Sequence, residues 1–375
     1  MNLLKSEGLK ISALYFVFTR LALLLIGYCV TREFALHGIV KPSEYIFSDN
    51  KLLSIFGTYD TGWYLRIVQD WYPNLQSKPI GYPYEEYSFF PLYPALIKAL
   101  NFAFGINYFY AGLLISNLCL VFSGYYLFSL TEKFFDKNIA QWSVVFLYSF
   151  PVSFIYSGVF TEALYLILIL IAIYNASIQK WLWACLAAML LIMCRPIGVF
   201  IILPLGVIYL KSIQFNIRKI NGKIFYFSFL FLGVIMLGIH HYIFAGGKFS
   251  VFNLYGAGYK LPFINPVQNF INWISNNYFS MPFLATFTIA IIVFWFTFYK
   301  QLKLELHLIM AYSLFVPMCY TLMSMPRMCL VAFPIFMLLA RVSTKYKIQI
   351  PVLICSVLLQ GYLFVCWCLG FGNVI

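Results

Sequence analysis

Acidic residues are scarce in this chain: Asp and Glu together number 12 in 375 residues, against 25 Lys and Arg. Charged residues make up only 10% of it and hydrophobic ones 63%, with a mean hydropathy of +0.86. Soluble globular domains carry about a quarter charged residues, so that class is excluded. Histidine is rarer still, at four residues. His240-His241 are adjacent rather than spaced along one helix face, and His37 and His307 stand alone, so no metal site is expected from them,. The nine cysteines lie almost entirely inside apolar runs without zinc-site spacing, and read as small core residues,. A Walker-type glycine loop and a nucleophile elbow are both missing, which removes the two commonest soluble phosphate and acyl chemistries,.

Long hydrophobic runs take the place of these features. Apolar stretches of about 17–25 residues cross a hydrocarbon core of about 30 Å. Candidate spans fall at 12–30, 107–130, 140–157, 161–178, 181–194, 197–210, 224–245, 281–299, 305–323, 328–341 and 350–370. The expectation is an all-α, polytopic integral membrane protein of about 9–11 spans forming a single domain over 1–375. The short pair meeting at Arg195-Pro196 reads as two half-helices or a re-entrant element,. Arg20 interrupts the first apolar run and no small-residue cleavage site follows Val30, so the first span reads as a retained helix rather than a signal peptide,.

A net charge of +13 suggests nucleic acid in a soluble protein, but here the cations lie between apolar spans and set topology instead,. Lys133, Lys137, Lys180, Lys211, Arg218, Lys219, Lys223, Lys300, Lys303, Arg341, Lys345 and Lys347 fall in short connections on one side if the N-terminus is cytoplasmic. Longer segments, thinner in basic charge, fall on the other. These are a first loop over 31–106 and a second over 246–280. Within the first, Pro91 to Phe104 is apolar but short and contains Lys98, as expected of a helix lying at the membrane interface,.

That first loop carries two unusual segments, Tyr59-Asp60-Thr61-Gly62-Trp63-Tyr64 and Phe89-Phe90-Pro91-Leu92-Tyr93-Pro94. A carboxylate among aromatics is partly desolvated and suits a general base, although an interfacial loop acid with aromatic neighbours has the same pattern. Glu162 opens an apolar helix, where a first-turn acid also complements the helix dipole,. Arg20, Arg195 and Arg327 sit at positions where Arg costs about 2.5–3.5 kcal/mol at mid-membrane,. Arg195 and Arg327 fall at the outer ends of helices, suited to clamping a lipid phosphate or to snorkelling toward headgroups,. Arg20 lies deeper and reads as the partner of an internal acid or carbonyl.

Five segments occur in a familiar order: Tyr59-Asp60-x-x-Trp63-Tyr64-x-x-Ile67, Phe89-Phe90-Pro91-Leu92-Tyr93-Pro94, Thr161-Glu162-x-Leu164-Tyr165, Arg195-Pro196-x-Gly198 and Pro326-Arg327-x-x-Leu330-x-x-Phe333-Pro334. Together they resemble the GPI mannosyltransferase 2 (PIG-V-like) family of the GT-C superfamily of membrane glycosyltransferases, from the first span to about residue 340. Two departures stand out: Tyr59 replaces a Trp, and Met328 follows Arg327 where a Tyr is usual.

The resemblance implies a GT-C-like helical bundle. It implies transfer of a hexose, typically mannose in that family, from a polyprenyl-phosphate donor to a glycolipid or glycan acceptor on the periplasmic or lumenal side. Asp60 would be the base, with Trp63, Tyr64, Glu162, Arg195 and Arg327 around the substrates and no cofactor required. The absence of an Asp-x-Asp pair agrees with a lipid-linked donor, since nucleotide-sugar enzymes commonly hold a metal with such a pair. A shorter chain rich in Ile, Phe, Lys, Asn and Tyr leans toward a bacterial inner-membrane relative. Rival readings are a lipid-linked sugar flippase or transporter, a glycan ligase, and an assembly partner without activity.

Overall fold

A computed structural model describes residues 6–38, 41–72, 85–245, 280–319 and 324–371. The second loop expected over 246–280 lies outside the described residues except for its last position. The regular elements among the described residues are helical. They comprise α1 (Glu7–Leu36), α2 (Thr61–Asp70), α3 (Leu92–Phe104), α4 (Tyr108–Phe134), α5 (Lys137–Ser149), α6 (Glu162–Ser177) and α7 (Trp181–Cys194). There follow α8 (Ile202–Ser212), α9 (Ser228–Ala245), α10 (Ser280–Thr297), α11 (Leu304–Met318), α12 (Met325–Cys329), α13 (Pro334–Tyr346) and α14 (Gln349–Cys368), with 3-10 turns between several of them. Among the described residues, four helical stretches, Glu7–Leu36, Tyr108–Phe134, Gly222–Phe244 and Gln349–Cys368, are long and apolar enough to cross a membrane by length and composition.

Helix α6 is the centre of the bundle. Its sequence is apolar on every side, which suits a helix surrounded by protein, and residues from Glu162 through Leu170 are all buried. Helices α4 and α7 flank it. Helix α1 docks against α4 through a close approach at Gly124, where an added Cβ would lie 2.2 Å from Ser12 Oγ. Ser12 Oγ instead donates to the Val121 carbonyl at 2.6 Å and shares a hydrogen bond with the Tyr148 hydroxyl at 2.7 Å. Arg20 meets the expected kind of partner: its Nη2 donates to the Ser153 carbonyl at 3.1 Å, and its guanidinium lies 5.8 Å from the Tyr148 ring centre.

Three expected spans are broken. The run 140–157 is helical only to Ser149; Pro151 cannot continue the ladder, and the chain turns through a 3-10 segment at Ser153–Ser157,. The run 328–341 is split, with Pro334 starting a new helix at a position where its missing N–H costs nothing,. The run 197–210 begins as 3-10 helix from Pro196 and becomes α-helix at Ile202. Helices α7 and α8 fold back on each other around Arg195-Pro196, bringing Trp181 and Tyr209 at their far ends to 5.4 Å. The first loop starts later than expected, because α1 continues to Leu36, and it contains the helix α2. The apolar segment after Pro91 is the helix α3, closed by Gly105 at φ 67°.

Helix direction separates two ends of the bundle. One end holds Asp60, Glu162, Arg195 and Arg327. The opposite end holds the basic connections: Lys303 Nζ lies 4.0 Å from the Phe134 ring centre, the Arg341 guanidinium 4.5 Å from that of Phe135, and Lys211 pairs with Glu305.

Candidate functional site

Asp60 stands at the N-cap of α2 but makes no capping bond with its side chain, so its carboxylate is turned away from its own helix. The preceding Tyr59 adopts φ 48°, a left-handed conformation that is uncommon for a bulky residue and persists where packing over-determines it,. Its ring is held between Tyr45, at 5.0 Å, and Trp367 of α14, at 5.7 Å. Burial pushes the Tyr59 phenol up from its ordinary pKa. Lys41 ties down the same loop by donating to the Ser54 and Gly57 carbonyls. Burial pulls its ammonium down to about 8.

Four charged side chains, separated by up to 267 residues in sequence, meet at this point. Arg327 Nη1 donates to Asp60 Oδ2, and Arg327 Nε donates to Glu162 Oε1. Arg195 Nη1 donates to the same Glu162 oxygen at 2.6 Å. Two guanidinium groups and two carboxylates make the cluster formally neutral, which is how charges this deep are tolerated. Glu162 is wholly buried, Arg327 and Arg195 are 4% and 9% exposed, and the Asp60 side chain keeps 28% exposure. Neither arginine snorkels. Glu162 is the first-turn acid of α6, as expected, and it is buried there at the site end of the bundle.

The aromatic residues divide by role. Trp63 is half-buried, stacked on Phe89 with centroids 6.1 Å apart, with the Arg66 guanidinium 5.8 Å from its centre. Tyr64 differs from the sugar-facing residue expected from sequence. It is 3% exposed, packed edge-on against Phe89, Tyr93 and Phe160, and its hydroxyl meets Thr161 Oγ1 at 3.2 Å. Tyr64 is thus a brace between α2 and the start of α6. The Phe89–Pro94 segment clasps the bundle: Tyr93 is fully buried and its hydroxyl reaches the Gly112 carbonyl and Ser116 Oγ on α4.

Sequence reasoning passed over three further contributors. Phe160 lies beneath the Arg327 guanidinium at 4.8 Å, a cation–π contact,. Thr161 receives the Tyr64 hydroxyl. Met328 offers its sulfur to Arg195 Nη2 at 3.2 Å. The Met directly after Arg327 was the visible signal for that last contact. Tyr156 joins the turn before α6 to the Arg327 segment through its hydroxyl and the Leu330 carbonyl.

Gly198 explains how Arg195 is presented. A Cβ there would sit 2.4 Å from the Leu191 carbonyl oxygen and 2.8 Å from its carbon, and backbone cannot yield as a side chain does. Gly198→Ala is expected to destabilise the protein by about 1–3 kcal/mol, as over-packing does. Thermal unfolding of the purified variant checks this, and an unchanged midpoint would show that the turn has slack.

A clustered, buried, neutral set of two arginines and two acids, with one acid reaching water, has the parts needed to bind a phosphate-bearing ligand beside a proton acceptor. No protein-family model matches this chain, and no curated protein is found similar to it.

Proposed function

We infer that this protein is a polytopic, GT-C-like membrane glycosyltransferase that moves a hexose, with mannose as the first choice, from a polyprenyl-phosphate donor to a lipid-linked or glycan acceptor. The observation that carries the reading is the convergence of Asp60, Glu162, Arg195 and Arg327 on one cluster from four distant segments. These are the residues on which the sequence resemblance would place the chemistry. The shorter apolar helices complete the bundle around α6, and the basic end faces the cytoplasm by the positive-inside tendency,. The site then lies on the extracytoplasmic face, periplasmic in a bacterial inner membrane.

In the proposed reaction an acceptor hydroxyl oxygen attacks the anomeric carbon and Asp60 takes the hydroxyl proton. The bond from that carbon to the phosphate oxygen breaks, and the polyprenyl phosphate leaves with the electron pair from the opposite face, inverting the configuration. Arg195 and Arg327 offset the charge on the leaving phosphate, an electrostatic contribution made by donors already in place. Trp63 of α2, half-buried beside Phe89, supplies an aromatic surface for a sugar.

The test is transfer by purified protein in liposomes from labelled polyprenyl-phosphate mannose to membrane lipid acceptors. Labelled glycolipid product supports the reading. Movement of the intact labelled donor across the bilayer without transfer would replace it with the transport alternative.

A further inference from the structure

The candidate base and the candidate phosphate clamp are bonded to each other. Arg327 holds Asp60 through Oδ2, so the carboxylate that is to accept a proton and the guanidinium that is to hold a phosphate satisfy one another. With the cluster formally neutral, an arriving phosphate gains little from it unless one of these bonds is exchanged.

Burial decides which bond gives way. Glu162 has no exposure and its Oε1 accepts from both arginines, so releasing it would strand a carboxylate in the protein interior,. Asp60 keeps 28% of its side-chain surface and makes no capping bond to its own helix, so release returns it to water at small cost. Arg327 is fixed from below by Phe160 and on its Nε by Glu162, so its Nη end, which holds Asp60 through Nη1, is the end that can change partner. Arg195 is anchored on Glu162 and on the Met328 sulfur.

We propose that Arg327 is a positioning residue that orders the two substrates: it holds Asp60 until a phosphate headgroup takes its Nη1 donor, so the phosphate-bearing donor binds first and thereby frees the base for the acceptor hydroxyl. No proton moves in the exchange; a charge-assisted hydrogen bond to a carboxylate is traded for one to the donor's phosphodiester, each carrying one negative charge, and the guanidinium fork suits the phosphate oxygens. This inference rests on the glycosyltransferase reading, and specifically on a phosphate binding beside Arg327. It also implies reciprocal coupling, with phosphate raising the affinity for acceptor and acceptor raising that for phosphate.

The experiment is a double-mutant cycle on phosphate binding, without turnover. The dissociation constant of a short-chain polyprenyl monophosphate is measured for full-length protein in detergent as wild type, Asp60→Asn, Arg327→Lys and the double variant. Inorganic phosphate is titrated as a second probe. Monodispersity and melting are recorded for each variant, and Arg327→Lys is chosen because it keeps the charge inside the fold. Its single Nζ lacks the guanidinium fork that serves Asp60 and Glu162 together.

Asp60→Asn is expected to tighten binding about tenfold by weakening the competitor for Nη1, since a neutral amide oxygen holds a guanidinium less strongly than a carboxylate, and this gain is expected to vanish on the Arg327→Lys background. A gain with both probes supports a swap driven by phosphate itself; a gain confined to the lipid supports one driven by a lipid headgroup. An equal gain on both backgrounds would reduce the effect to the loss of a nearby negative charge and overturn the proposal. So would no gain, or weaker binding, in Asp60→Asn. Wild type that binds neither probe would remove the phosphate-site reading itself, an outcome distinct from binding that ignores Asp60.

Discussion

Asp60→Asn should abolish sugar transfer, lowering the rate by about 10²–10⁴-fold, the usual contribution of a positioned general base. The substitution preserves shape and leaves an amide oxygen able to accept from Arg327, while removing the group proposed to take the proton. Arg327 retains Glu162 as a charged partner, so the fold should persist. The expected result is therefore a protein that melts close to wild type and turns over poorly. Asp60→Glu, which restores a carboxylate at a shifted position, should recover part of the rate. Transfer by Asp60→Asn within about tenfold of wild type would leave the enzyme class standing and remove Asp60 as the base.

Glu162→Gln should have the largest effect on stability. Glu162 is the only acid bonded to Arg195 among the described contacts, and one of two bonded to Arg327. Its neutralisation leaves two buried guanidinium groups facing one partly exposed carboxylate. Removing one partner from a buried ion pair typically costs about 3–5 kcal/mol. The measurement is the thermal midpoint and the yield of monodisperse protein. A second substitution tests the cause: Glu162→Gln combined with Arg195→Gln removes one charge of each sign, and should recover part of the loss. If the double variant is no more stable than Glu162→Gln alone, the loss comes from packing around α6 rather than from stranded charge.

The residues that form the cluster were legible because each broke a local rule. An acid among aromatics, an acid at the head of an apolar helix, and arginines beside prolines in apolar runs are all costly unless paired. What sequence could not supply was the pairing. Asp60 and Arg327 carried no mark identifying them as mutual partners, and nothing in the sequence separated Tyr64, read with Trp63 as a residue around the substrates, as the one that three rings enclose. The helices followed a similar pattern. The long apolar runs of α1, α4 and α14 were plain. The break at Pro151 and the restart at Pro334 were lost because apolar composition runs on through both prolines and masks the change of direction.

The spacing of the four charges along the chain has a bearing on biogenesis. Glu162 and Arg195 are 33 residues apart, with the α6–α7 hairpin between them, so this pair can neutralise itself while later segments are still on the ribosome. Asp60 emerges 267 residues before Arg327 and must wait for it at the water-facing edge, where an unpaired carboxylate costs little. The bundle thus meets its deeper ionic demand before its shallower one. Its deep acid is matched early by a neighbour, and the last bond joins the two halves of the chain only when α12 arrives.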